Sequence, residues 1–135
     1  MPAALNVPAV LRGAIVTIVV AVPAALVIGA RGDTEGGTDQ SNWVYLAFLA
    51  VVIAYIAGGW VAGRRSPEGP FLNGAAAAGA AFVVVQVVAW LVSSDGADVI
   101  GAIFNLLLAA TIGVVGAGFG GMRGTLDDGG GEPTG

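Results

Sequence analysis

Acidic residues occur in three close pairs, the pattern in this chain most able to supply chemistry. The pairs are Asp33/Glu35, Asp95/Asp98 and Asp127/Asp128. Carboxylates at this spacing could bind a hard cation such as Ca²⁺ or Mg²⁺, because these cations prefer oxygen ligands. All three pairs lie in polar segments, where water solvates them as ordinary surface charges, and the chain has no His or Cys to complete a catalytic group. The residues therefore predict no enzyme active site, no resident metal and no cofactor.

A glycine motif formed by Gly116, Gly118 and Gly121 has the G-x-G-x-x-G spacing of dinucleotide-binding loops. That fingerprint belongs to a βαβ unit with an acidic residue about 20 positions further on, and neither is found here. We therefore expect no nucleotide binding, and we attribute the Arg31–Asp33 adhesion tripeptide to chance. The net charge of -4, with five scattered Arg residues, gives no basic surface for nucleic acid.

Composition indicates a membrane protein. Mean hydropathy is +0.87 and only 10% of residues are charged, against roughly 25% in a soluble domain. Four segments are long and apolar enough to cross a hydrocarbon core of about 30 Å. They cover residues 10–30, 43–63, 74–93 and 99–122. We expect an all-α membrane protein in which residues 1–122 form four transmembrane helices, arranged as two helical hairpins, and residues 123–135 form a disordered tail.

The first apolar segment has a second interpretation, as a cleaved signal peptide. Its apolar run exceeds the usual length of about 7 to 15 residues, and Ile28 stands where the cleavage site prefers a small residue. We therefore favour a retained helix.

The placement of arginine predicts the orientation in the membrane. Arg12, Arg64, Arg65 and Arg123 flank one set of helix ends, whereas Arg31 alone flanks the other set. Positively charged residues in short loops are retained in the cytoplasm. The sequence therefore predicts a multi-pass protein of the cell membrane with both termini in the cytoplasm.

Small residues recur at helical spacing in every apolar segment. The positions expected to make the closest helix contacts are Gly58, Gly59, Gly63, Gly113, Gly116 and Gly120. Lipid tails give helices no hydrophobic reason to associate, so close approach through small residues takes over that role. We expect these contacts within one bundle; pairing of two copies through Gly59 and Gly63, or through Gly116 and Gly120, is the alternative.

Few polar side chains lie inside the apolar segments. They are Thr17, Tyr55, Gln86, Asn105 and Thr111. Gln86 and Asn105 share one depth, and Tyr55 and Thr111 another, so we expect each pair to face into the bundle and to bond between helices. A polar lining for a small neutral solute is the alternative. Pro23, inside the first segment, predicts a helix kink.

The two halves of the chain resemble each other at an offset of about 60 residues. The sequence LRGA at residues 11–14 matches LNGA at 72–75, and GWVAGR at 59–64 matches GFGGMR at 118–123. Because each half has an even number of spans, the match predicts a parallel repeat about an axis along the membrane normal. Chance similarity between Gly-rich spans is the alternative.

The motifs LRGA, GGWVAGRR and LNGA, with a Pro-containing loop between the last two, also carry a resemblance to a known group. The chain resembles YrzE-like small four-helix bacterial membrane proteins over nearly its whole length. The resemblance implies a four-helix membrane fold and supplies no catalytic or binding residue. Together these features favour a structural or accessory module that packs against copies of itself or a larger membrane complex. A minimal oligomeric channel or transporter for a small neutral solute is the second hypothesis.

Overall fold

The computed structural model describes residues 4–32, 42–92 and 99–128, and nearly all of them are helical. The helices are α1 (Val7–Gly32), α2 (Asn42–Arg64), α3 (Pro70–Val92) and α4 (Val99–Asp128). Each is long and apolar enough to cross a membrane. The predicted all-α class, with four helices long and apolar enough to span a membrane, is confirmed. The acidic pairs Asp33/Glu35 and Asp95/Asp98 lie outside the described residues.

Local capping explains why two helices begin earlier than predicted. The Asn6 side-chain Oδ1 accepts a hydrogen bond of 3.2 Å from the Ala9 backbone N–H, which caps the first turn of α1. Pro70 occupies the first position of α3, where its missing N–H costs no helical bond. Both helices therefore start three or four residues before the predicted apolar runs.

The helix α4 ends later than predicted. The helix continues to Asp128, so residues 123–128, which were expected to belong to a disordered tail, are helical. No Pro interrupts this stretch, and the run of three consecutive Gly residues begins only after Asp128. The side chains of Asp127 and Asp128 lie outside the described part of the chain.

The four helices form a rhombus in cross-section. Contacts join α1 to α2 and α3, and α4 to the same two helices, while α2 and α3 also touch each other. Within the described residues, α1 and α4 make no contact. The two outer helices therefore each leave a broad face uncovered, and α2 and α3 lie across the short diagonal.

The centre of the bundle is built around one aromatic side chain. Tyr55 on α2 is only 5% exposed and lies in a cluster with alanines from the other three helices. These alanines are Ala14 on α1, Ala78 and Ala81 on α3, and Ala109 on α4. The small side chains let the helices approach closely enough to enclose the large ring.

Candidate functional site

Gly13 and Gly58 bring α1 and α2 into backbone contact. A Cβ atom added at Gly13 would lie 2.5 Å from the Gly58 carbonyl oxygen, and one added at Gly58 would lie 2.6 Å from the Gly13 carbonyl oxygen. Such distances leave no space for a methyl group. Thr17 fills the next turn, where its fully buried hydroxyl donates to the carbonyl oxygens of Gly13 at 3.1 Å and Ala54 at 3.3 Å.

The contact between α2 and α4 is longer and uses more glycines. A Cβ atom at Gly59 would overlap the Gly113 backbone, and one at Gly63 would lie 2.6 Å from the Ala117 carbonyl oxygen. From the opposite helix, Gly116 meets the Ile56 backbone and Gly120 meets the backbone of Trp60 and Arg64. All six predicted packing glycines therefore lie against a neighbouring helix of the same chain.

The inward orientation expected for Asn105 and Thr111 is wrong. Both residues are exposed on α4, and the Thr111 hydroxyl donates to the Leu107 carbonyl oxygen of its own helix at 2.8 Å. Equal depth does not fix the direction of a side chain around the helix. Three residues before the buried Ala109, Leu106 takes the inward position beside Gly79, and this turns Asn105 outward.

The two predicted polar pairs are accordingly not assembled. Tyr55 points into the bundle and Thr111 away from it. Gln86 is half-buried on α3, and no hydrogen bond joins it to Asn105 among the described residues. The described structure therefore does not gather these four side chains into a polar lining.

A polar junction at the start of α3 is the feature that the sequence did not predict. Asn73 is completely buried, and its Oδ1 accepts a 2.7 Å hydrogen bond from the Asn6 backbone N–H. Its Nδ2 donates to the carbonyl oxygens of Gly69 at 2.8 Å and Ala4 at 3.2 Å. The Asn6 side chain in turn donates to the Arg65 carbonyl oxygen at 3.2 Å. The two asparagines thus fasten the segment before α1 to the loop between α2 and α3.

A cavity of about 560 Å³ lies beside this junction. Its walls are residues 4–8, before and at the start of α1, and residues 66–69 of the α2–α3 loop. Ser66 is only 4% exposed, and within the described structure its Oγ has no hydrogen-bond partner. The cavity also borders Glu68, so it combines one buried hydroxyl with one exposed carboxylate.

The same end of the bundle carries most of the positive charge. We call it the arginine end, because α2 ends there with Arg64 and Arg65 follows it in the loop. Gly120 of α4 packs beside Arg64, which brings Arg123 to this end, and Arg12 lies in the second turn of α1. The Arg64 guanidinium lies 5.5 Å from the centre of the Trp60 ring, a cation–π distance.

The glycines of the G-x-G-x-x-G motif on α4 lie in a helix that packs against its neighbours. Gly116, Gly118 and Gly121 lie within one continuous helix, whereas a dinucleotide fingerprint requires a loop between a strand and a helix. Cβ atoms at Gly118 and Gly121 would lie 3.3 Å from Phe71 and Pro70 at the start of α3. In the described residues, no group of three His, Cys, Asp or Glu residues could hold a metal ion.

Together these features define an all-helical protein with four helices suited to a membrane, in which small residues make the helix contacts. Comparison of the chain with models of protein families, with curated proteins and with solved structures finds no match.

Proposed function

We propose that the protein is a structural or accessory module of the bacterial cell membrane, which acts by presenting rigid helix faces to a second copy or to a larger membrane complex. The observation that supports this most is the filled centre of the bundle. Tyr55 and the surrounding alanines occupy it from all four helices, and glycines bring neighbouring backbones into contact. A unit packed in this way suits binding through its outer surface.

The polar side chains give further support. The hydroxyl of Thr17 bonds to two backbone carbonyls, and that of Thr111 bonds within its own helix. Asparagines are used at one end, where Asn6 and Asn73 join the chain to itself. These groups serve the fold, so the alternative of a channel for a neutral solute would need a path formed between copies.

The proposal includes the two-hairpin repeat. Gly13 packs against Gly58 in the first half, and the corresponding Gly74 packs against Ala117 in the second. These contacts join α1 to α2 and α3 to α4, and Gly58 and Ala117 each immediately precede the second pair of matching motifs. This equivalence supports a repeat in which each half is one helix pair. The twofold axis expected along the membrane normal is wrong, because it would pair the α2–α3 contact with a contact between α1 and α4, and those two helices make none in the described residues.

The first experiment determines what the protein binds in its own membrane. The chain carries a tag after Gly135, native membranes are crosslinked mildly, and the mass and composition of the purified complex are measured. A defined assembly of copies or a stable complex with another protein supports the module. A monomer that carries solute flux in liposomes would contradict it.

The flux arm uses two variants. Gln86→Leu and Asn105→Leu remove the two amides that lie inside the predicted spans. If the protein is a packing module, reconstituted wild-type vesicles are no more permeable to small neutral solutes than empty vesicles. Permeability that depends on either amide would instead support the channel.

Orientation is tested with cysteine labelling, since the chain contains no cysteine. We propose that the arginine end faces the cytoplasm, so Glu68→Cys in the α2–α3 loop is protected in intact cells from a membrane-impermeant maleimide. Thr38→Cys, in the segment after the first span, is labelled under the same conditions. The reverse pattern would refute the predicted topology.

A further inference from the structure

Two polar side chains, Asn105 and Thr111, lie on the exposed surface of the apolar span of α4, and the Thr111 hydroxyl bonds within its own helix. Asn105 is exposed there, and among the described residues its side chain has no hydrogen-bond partner. The apolar span of α4 is Val99–Arg123, 25 residues in length. Asn105 therefore lies roughly 9 Å along a helix of about 36 Å, which places it inside a hydrocarbon core of about 30 Å.

An amide at this depth is costly unless it is paired. Lys and Arg can extend a charged group to the interface because their side chains are long, whereas one methylene separates the Asn amide from its backbone. Hydrocarbon supplies neither a donor nor an acceptor. Asn105 thus indicates that another protein surface covers this part of α4.

The residues in line with Asn105 form a regular surface. Continuing at intervals of three and four, they are Leu108, Ile112, Val115 and Phe119. Leu108, Val115 and Phe119 are 45%, 49% and 62% exposed, and Ile112 is half-buried. Alternating intervals of three and four place side chains along the seam of two packed helices, in which one polar residue can fix the alignment. We call these five residues the α4 seam.

We propose that the α4 seam pairs with the α4 seam of a second copy of this chain, and that the two Asn105 amides bond to each other. In such a pair, residues near the twofold axis meet their own counterparts, so Asn105 lies opposite Asn105 of the second copy. Two amides can bond to each other, because each has both a donor and an acceptor. The seam has no charged residue, and α4 occupies a corner of the rhombus, so a second copy approaches it without displacing α1.

This inference rests on the proposed membrane location and specifies the partner of the module. It differs from pairing through glycines, because Gly59, Gly63, Gly116 and Gly120 are already occupied by contacts within the chain. It also explains why the bundle tolerates an exposed amide, since Asn105 faces its partner in the dimer.

Disulfide crosslinking in native membranes tests the seam. Leu108→Cys and Val115→Cys are expected to form a product of twice the chain mass on mild oxidation. Leu107→Cys is the matched control, because it is 63% exposed but points about 100° away around the helix. Equal crosslinking at positions 107 and 108 would overturn the proposed surface, and a product of another mass would show that a different protein covers it.

The amide is tested by its effect on the dimer. In vesicles of varied protein-to-lipid ratio, Asn105→Leu is expected to weaken dimerisation about tenfold, and Asn105→Gln to restore most of it. Thr111→Val is the control, because its hydroxyl already bonds to Leu107. Dimerisation that is unchanged in Asn105→Leu would overturn the inference. The helix content and unfolding of that variant in monomeric detergent should match wild type, which separates pairing from folding.

The outcomes also separate this inference from the proposed function. A chain that is monomeric in these assays but joins a different protein in native membranes overturns seam pairing and leaves the accessory module standing. Solute flux across the bundle together with seam crosslinks would overturn the module and leave the pairing standing.

Discussion

One methyl group at Gly59 tests whether glycine contacts hold α2 against α4. A Cβ atom there would overlap the Gly113 carbonyl oxygen and lie 2.9 Å from the C and Cα atoms of Gly113. Backbone atoms cannot rotate away as a side chain can, so the helices must separate by about 1 Å. The neighbouring contacts of Gly116 and Gly120 loosen with them. Since overpacking costs about 1 to 3 kcal/mol and Gly→Ala regains up to about 1 kcal/mol of helix propensity, we expect Gly59→Ala to lower the free energy of unfolding by about 1 kcal/mol, and by about 2 kcal/mol relative to a substitution without the overlap.

Gly79→Ala is the matched control on α3. A Cβ atom at Gly79 would lie 3.8 Å from Leu106 Cδ1, which is ordinary van der Waals contact. Both substitutions add one methyl group in a helix interior, and both gain up to about 1 kcal/mol of helix propensity. The difference between the two variants therefore isolates the steric contact. Gly79→Ala should leave stability unchanged or raise it.

Reversible unfolding in mixed micelles provides the measurement. Helix content is followed by circular dichroism as the fraction of denaturing detergent increases, and the unfolding free energies of both variants are compared with wild type. The transition of Gly59→Ala should come at lower denaturing detergent and that of Gly79→Ala at the wild-type level or above. Two variants within about 0.5 kcal/mol of each other would refute the reasoning, because this is the scatter of uncoupled surface changes.

Three further substitutions probe the polar groups, all measured by the same unfolding assay. Asn73→Ala removes three hydrogen bonds, so we expect a loss of about 3 kcal/mol; a loss below about 1 kcal/mol would show that the junction is weak. Ser66→Ala removes a buried Oγ without a partner in the described structure, so stability should stay equal or rise by up to about 1 kcal/mol; clear destabilisation would mean that the hydroxyl is bonded. Thr17→Val keeps the shape but removes the bond to Ala54, so we expect a loss of about 1 kcal/mol; an unchanged midpoint would contradict that bond.

The helices are predictable from the sequence because hydrocarbon excludes charge. Charged residues lie outside four apolar runs or at their edges, as Arg12 and Arg123 do, and each run is long enough to span a bilayer. The positions of the packing glycines are also predictable from the sequence, since close packing in lipid requires small residues at helical spacing. The sequence does not predict which neighbouring helix each glycine contacts, because adjacent residues such as Gly58 and Gly59 face different helices.

Predicting whether a polar side chain points into the bundle requires the rotation of each helix about its own axis, which the sequence does not give. Asn105 and Ala109 are four residues apart and could share a face, but Leu106 fits the inward row equally well by spacing. Packing beside Gly79 decides between them in favour of Leu106. Depth along a span is therefore predictable by counting residues, whereas the inward side of an almost uniformly apolar helix depends on its neighbours.

The burial of Asn73 shows where the proposed repeat is broken and why. Position 73 corresponds to Arg12, since each precedes a glycine at a helix contact, Gly13 against Gly58 and Gly74 against Ala117. Arg12 is exposed, whereas Asn73 is enclosed by the segment that precedes α1. Only a neutral side chain with both a donor and an acceptor can pair the N–H and the carbonyls there without burying a charge. The two halves therefore differ in residue type at this position, where the start of the chain covers the second half.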